Sequence, residues 1–182
     1  MSTEFETVAY RIKSFHKKNI HSHRIDPRPI DHLKLHAMKA IHILLVEDNE
    51  GDILLTKEAF EDAKILTRLS VVRDGKEAVD FLNKLGSFKE ADTPDLLLLD
   101  VNLPKKNGHE VLKFIKGDER LKHIPVIMFT TSSSEKDINL SYQNHANCYI
   151  TKPVDVTEFL SVISRIENFW ISIVDLPTIR RS

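Results

Sequence analysis

The chain holds one cysteine, Cys148, in 182 residues. That excludes an internal disulfide framework and fits a reducing compartment. No apolar run approaches the roughly 18 residues that a bilayer-spanning helix needs. The amino terminus also lacks the apolar centre of a secretory signal, so a soluble, cytoplasmic chain with no membrane partner is expected. Charge of one sign is missing too: 26 Lys and Arg face 27 Asp and Glu, a balance that argues neither for nor against nucleic acid.

The average hides an asymmetry. Residues 1–40 carry eight Lys and Arg against four Asp and Glu, and five of the nine histidines. They have no clear period, and Pro27 and Pro29 interrupt them, although Phe5, Val8, Tyr10, Ile12 and Phe15 can form a short amphipathic turn. Residues 1–37 are therefore expected to be a disordered, basic and His-rich tail. Two functional readings stand beside this: a basic arm for an acidic partner, and a metal-binding His cluster in which only His32 and His36 have i, i+4 spacing. Met38 stands directly before the first strand, so translation starting there is a third reading. A folded domain is expected over 38–176, and a short tail over 177–182.

What the chain has in abundance is strand–helix alternation, organised around Asp95-Leu96-Leu97-Leu98-Leu99-Asp100. Four leucines without helical alternation read as a strand buried on both faces of a parallel sheet. Before it come the apolar runs 41–46 and 69–72, each followed by a helix-period segment; after it come 125–130 and 148–151, each again followed by a helix. Asp155 with Glu158 reads as the capped start of the last helix. Five strands alternating with five helices imply an α/β fold, a doubly wound five-stranded parallel sheet.

Residues with chemistry cluster at the strand ends. Strand one delivers Glu47 and Asp48, strand three Asp100, strand four Thr130, and Thr151-Lys152-Pro153 closes strand five. In an open α/β sheet the carboxyl ends of the strands share the rim where ligands bind. Carboxylates from two strands, with carbonyl and water ligands, suit a hard octahedral Mg²⁺. An ammonium and a hydroxyl facing them are suited to hold phosphoryl oxygens.

Leu-Val-Glu-Asp-Asn at 45–49, Leu-Leu-Asp-Val-Asn-Leu-Pro at 98–104, Asn107-Gly108, Phe-Thr-Thr at 129–131 and Thr-Lys-Pro at 151–153 together resemble the receiver domain of bacterial two-component response regulators. Order and spacing match from residue 41 to about 176. The resemblance implies a flavodoxin-like fold with strand order 2-1-3-4-5, and it assigns roles by position. Asp100 would be the phosphoacceptor that attacks phosphorus in a phosphohistidine of a sensor histidine kinase. Asp48, Asp100 and the Asn102 carbonyl would bind Mg²⁺, with Glu47 assisting through water. Lys152 would pair with the phosphoryl group, held by a cis bond before Pro153. Thr130 would swing toward that group and Tyr149 would follow, biasing a surface of the fourth helix, fifth strand and fifth helix. Asn102, Thr131 and Ser132 would tune loss of the acyl phosphate.

The last helix carries two apolar stripes. Val156, Phe159, Leu160, Ile163 and Trp170 suffice to cover the sheet, so Val162, Ile166, Phe169 and Ile173 are expected to form a homodimer interface. The polar insertion 86–93 and the Phe169-Trp170 end are similar to single-domain regulators that partner phytochrome-type sensor kinases. No output domain is expected after the last helix, so signalling would run through a downstream protein target or a phosphotransfer protein. Catalysis is expected to go no further than self-phosphorylation and slow self-dephosphorylation. Phosphatases of the haloacid dehalogenase type also use a strand-end aspartyl nucleophile with Mg²⁺, but they need an acid two positions later, where this chain has Asn102. A DNA-binding regulator using the basic tail ranks last.

Overall fold

The computed structural model describes residues 40–61 and 66–177; the tail expected over 1–37, and all but the first residue of the one expected over 177–182, lie outside them. Five strands, β1 (Ile41–Val46), β2 (Thr67–Val72), β3 (Leu96–Leu99), β4 (Val126–Thr130) and β5 (Cys148–Thr151), form one parallel sheet in the order β2-β1-β3-β4-β5. Helices α1 (Glu50–Glu61), α2 (Gly75–Leu82), α3 (Gly108–Gly117), α4 (Glu135–Gln143) and α5 (Val156–Glu167) connect and follow them. This is the doubly wound sheet expected from the alternation, in the flavodoxin-like strand order that the resemblance implies. Its strand order reverses between β1 and β3, where the carboxyl ends leave a crevice.

The leucine run works as its pattern requires. All four residues of β3 are fully buried, with Leu97 and Leu99 packed on one side of the sheet and Leu96 and Leu98 on the other. On the first side they meet Phe81 and Leu82 of α2 and Val111, Leu112 and Ile115 of α3. On the second they meet Ile53 and Phe60 of α1 and Phe159, Leu160 and Ile163 of α5. Each such leucine contributes about 1.5–3 kcal/mol on burial. Asp100 follows a strand that has no freedom to shift.

Helix starts are capped by side chains that satisfy otherwise orphaned amides. Asp74 caps α2, Asn107 and Glu110 form a reciprocal capping box on α3, and Ser134 caps α4. Asp155 accepts from both Thr157 and Glu158 at the start of α5. Helix α4 is packed most thinly, with Ser141 its single fully buried residue.

Two expectations fail at the end of the chain. Ile166 is 3 % exposed and belongs to the core under α5, and Val162 is half-buried against the same core. The reason is periodicity: Ile166 lies three residues after the inward Ile163, on the same helical face. From Asn168 to Ile173 the backbone widens into a π-helical turn, which carries Trp170 and Ile171 inward and leaves Phe169 and Ile173 exposed. The second apolar stripe thus shrinks to those two residues. Further, no peptide bond among the described residues is cis, so the bond before Pro153 is trans, the isomer an X–Pro bond favours intrinsically.

Candidate functional site

The rim of the sheet is built by strand ends. Backbone pairing aligns them: the Asp100 amide donates to the Val46 carbonyl at 3.1 Å, and the Lys152 amide to the Thr130 carbonyl at 2.7 Å. Glu47 leaves β1 pointing inward and is buried, whereas Asp48, the next residue, faces solvent. Asp100 is 5 % exposed and Thr130 fully buried. Gly108, at the first turn of α3, sits so close behind the acidic residue that an added Cβ would lie 2.0 Å from the Asp100 carbonyl oxygen. Only glycine lets α3 start there, and that contact holds the Asp100 loop from behind.

Lys152 is the cation of this pocket. It is 5 % exposed, with its Nζ 5.6 Å from the centre of the Phe129 ring. It donates to Glu47 Oε2, to Asp52 Oδ2 at 2.9 Å and to Asp100 Oδ2 at 3.3 Å. The other Asp100 oxygen accepts from the Asn102 amide at 3.3 Å, and Glu47 Oε1 from the Asn49 amide at 3.1 Å. Burial pushes the Glu47 carboxyl up to about 7, against the pull of the Lys152 ammonium. Burial also works against the charge on Lys152, but Glu47 and Asp100 outweigh it and hold the ammonium above its usual range. The lysine therefore stays charged, and Glu47 takes up a proton more readily than an ordinary glutamate does.

Oxygens of Glu47, Asp48 and Asp100 all lie within 4.8 Å of one another. Three carboxylate donors, one of them open to solvent, match a hard divalent cation that keeps several waters. The donor set fits Mg²⁺, and the exposed side of Asp48 and Asn102 leaves room for water ligands.

Beside this pocket the β4–α4 loop carries the remaining expected residues. Thr131 is exposed and Ser132 half-buried. The Ser132 amide donates to Thr130 Oγ1 at 3.3 Å, and the Tyr149 hydroxyl donates to the Ser132 carbonyl at 2.9 Å. Burial raises the Tyr149 phenol above its ordinary range, so it remains a donor. Among the expected residues, Glu47, Asp48, Asp100 and Lys152 come together in one pocket. Val162, Ile166, Phe169 and Ile173 sit on the α5 side, away from it.

Three participants escaped the sequence reading. Asp52, on α1, contacts Lys152 directly; as an acid in the first turn of a helix it reads as an ordinary complement to the helix dipole. Asp137 accepts from Ser132 Oγ at 2.6 Å and from His109 Nε2 at 3.1 Å. Neither had a motif, since both read as ordinary polar positions of amphipathic helices.

The family model described as the response regulator receiver domain matches residues 43–164. The response regulator Rcp1 of Synechocystis sp. is 44% identical over 135 residues, which is 74% of this chain and 92% of that protein. The crystal structure of the phosphorylated cyanobacterial phytochrome response regulator RcpA superposes with a TM-score of 0.75 at 46% identity, covering 76% of this chain and 99% of that one. The Mn²⁺-bound form of Rcp1 superposes with a TM-score of 0.74 at 43% identity over 76% and 99% of the two chains.

Proposed function

Because the chain belongs to the response regulator receiver domain family, a signalling family of two-component systems, we propose that Asp100 is its phosphoacceptor. The observation that carries this reading is the convergence of Lys152 Nζ and the Glu47 and Asp48 carboxylates on Asp100. An Asp100 oxygen attacks phosphorus in a phosphohistidine, the N–P bond breaks as the O–P bond forms, and the imidazole leaves with the electron pair and takes up a proton. Lys152 moves its donors from Asp52 and Glu47 toward the incoming oxygens, offsetting charge where it builds up. Mg²⁺ would be held by Asp48, Asp100 and the Asn102 carbonyl, with Glu47 assisting, and when bound would neutralise charge on those oxygens.

Output follows from the added charge. A phosphoryl group brings about −1.5 to −2 charge and new acceptor oxygens. The Thr130 hydroxyl turns to it and Tyr149 follows, which alters the surface of α4, β5 and α5. Thin packing of α4 supports this role. Asn102, Thr131 and Ser132 border the route of the attacking water and set the acyl phosphate lifetime; no other catalysis is proposed. Likeness to RcpA and Rcp1 supports a sensor histidine kinase of the phytochrome type as donor and a divalent cation at the acidic pocket. Exposed Phe169 and Ile173 support a homodimer through the end of the last helix. The described residues contain no helix long and apolar enough to cross a membrane; a cytoplasmic setting belongs to this reading as the place where a sensor kinase presents its phosphohistidine. The signal passes to a downstream protein or a phosphotransfer protein rather than to nucleic acid.

The test is intact-mass measurement after incubation with a small phosphodonor and Mg²⁺. Wild type gains one phosphoryl group; Asp100→Asn and wild type in chelator gain none. Equal gain in Asp100→Asn, or no gain in wild type with two different donors, overturns the reading.

A further inference from the structure

A lysine ammonium carries three N–H donors. That of Lys152 meets three different carboxylates: Glu47, Asp52 at 2.9 Å and Asp100 at 3.3 Å. Two of these acceptors have a second use. Oxygens of Glu47 and Asp100, with one of Asp48, form the group that fits a divalent cation, and Asp52 stands outside it. Among the described residues, Asp52 is thus the carboxylate partner of Lys152 that a cation in that group leaves free.

The ammonium has no retreat to solvent. Its backbone amide is tied to the Thr130 carbonyl at 2.7 Å, its Nζ lies 5.6 Å from the centre of the Phe129 ring, and its side chain is 2 % exposed. A cation on Glu47, Asp48 and Asp100 draws on the same lone pairs that Lys152 uses. It also repels the ammonium as a like charge, in a pocket where water screens poorly.

Asp52 is placed to take up that ammonium. It lies in the first turn of α1, where the helix dipole favours a negative charge. Its amide donates to Asn49 Oδ1 at 3.0 Å, and the Asn49 amide donates to Glu47 Oε1 at 3.1 Å, so Asn49 ties the Asp52 turn to the Glu47 side chain. With its side chain 24 % exposed, Asp52 keeps part of its hydration, which Glu47, at 2 %, does not. Its carboxylate therefore costs less to hold in place.

We infer that Asp52 is a positioning residue that lets the buried ammonium and a divalent cation share one pocket, by holding Lys152 when the cation takes the Glu47 and Asp100 oxygens. The inference rests on the reading of the acidic pocket as a Mg²⁺ site. Asp52 itself ligates no cation and touches no reacting atom; it acts through Lys152. Once it is removed, the cation has to share both acceptors left to the ammonium. The same contact keeps Nζ near Asp100, within reach of incoming phosphoryl oxygens.

The experiment is calorimetric titration of the full chain with Mg²⁺ alone, in a double-mutant cycle of Asp52→Asn and Lys152→Met. Asp52→Asn should bind Mg²⁺ about three- to tenfold more weakly than wild type, the size of coupling expected between touching groups. Lys152→Met removes the competitor and should bind more tightly than wild type. In that background Asp52→Asn should cost no more than about twofold, since nothing is left for Asp52 to hold. A direct pull of the Asp52 charge on the cation lowers affinity by the same factor with or without Lys152, and that result overturns the inference. So does an Asp52→Asn chain that binds Mg²⁺ as tightly as wild type. Should Lys152→Met not fold, the lysine itself supplies the second readout, through the Nζ–H signal in heteronuclear NMR. At saturating Mg²⁺ its hydrogens should exchange with water faster in Asp52→Asn than in wild type; equal exchange overturns the inference. In each of these cases binding by wild type still upholds the cation site. No Mg²⁺ binding by wild type overturns both.

Discussion

Lys152 and Glu47, 105 residues apart in the chain, form a buried ion pair at the floor of the acidic pocket, each with its side chain 2 % exposed. The pair keeps an ammonium beside Asp100, where it offsets part of the charge of the clustered carboxylates. Removing Lys152 withdraws the ammonium that pulls the buried Glu47 carboxyl down, so Glu47 takes up a proton and loses its hydrogen-bond partner.

Lys152→Met should therefore destabilise the metal-free protein by about 1–3 kcal/mol in urea unfolding, the cost of buried acceptors left without their donor. Millimolar Mg²⁺ should restore more stability to the variant than it adds to wild type, because the cation no longer competes with the ammonium. A saturating cation adds about 2.7 kcal/mol at a hundred times its dissociation constant. Equal Mg²⁺ effects on the two proteins would contradict competition at this pocket.

His42 makes stability depend on pH. Arg68 Nη2 donates to its Nδ1 at 2.8 Å, so the neutral ring carries its hydrogen on Nε2 and donates to Ser70 Oγ at 2.9 Å. Burial, reinforced by the Arg68 guanidinium, holds the imidazole below its usual value of 6.5. Below that value the unfolded chain binds more protons than the fold does. His42 thus contributes fully above about pH 6.5, and the contribution is lost as pH falls through the folded value. Unfolding free energies between pH 7.5 and pH 5 should fall more steeply in wild type than in His42→Gln.

Gly108→Ala places a methyl 2.0 Å from the Asp100 carbonyl oxygen, so backbone must shift. A loss of about 1–3 kcal/mol or more is expected in chemical denaturation. Phosphoryl uptake should fall with it, as the shift moves Asp100 away from Lys152. Unimpaired uptake by a folded Gly108→Ala chain would show that the close contact does not position the site.

On α5 the two apolar roles separate. Ile166→Ala should cost about 2–5 kcal/mol, because Ile166 is core. Phe169→Ser with Ile173→Ser should leave unfolding nearly unchanged and shift sedimentation at micromolar concentration from dimer to monomer. A wild-type chain that sediments as a monomer, with and without beryllofluoride, would remove the dimer from the account.

Most of the fold was legible because β3 leaves no ambiguity: four leucines fit only a strand covered on both sides, and the flanking alternation then dictates a parallel sheet. The acidic pocket was legible for a similar reason, since Glu47, Asp48, Asp100 and Lys152 each end or follow a strand. Val162 and Ile166 were misread as interface residues because two apolar stripes on one helix differ by a single residue step. Ile166 falls in the inward stripe, and the π-helical turn after Glu167 has no pattern to announce it. His109 and Asp137 were invisible, as their meaning lies in a contact between helices 28 residues apart in the chain.

The most direct measurement is chemical trapping of the phosphorylated residue. Wild type is incubated with a phosphodonor and Mg²⁺, treated with borohydride, which reduces an acyl phosphate to the alcohol, and mapped by peptide mass spectrometry. The account requires homoserine at position 100 alone, dependent on both donor and Mg²⁺. Reduction at another aspartate, or Asp100 unchanged in protein that has gained phosphoryl mass, would contradict it.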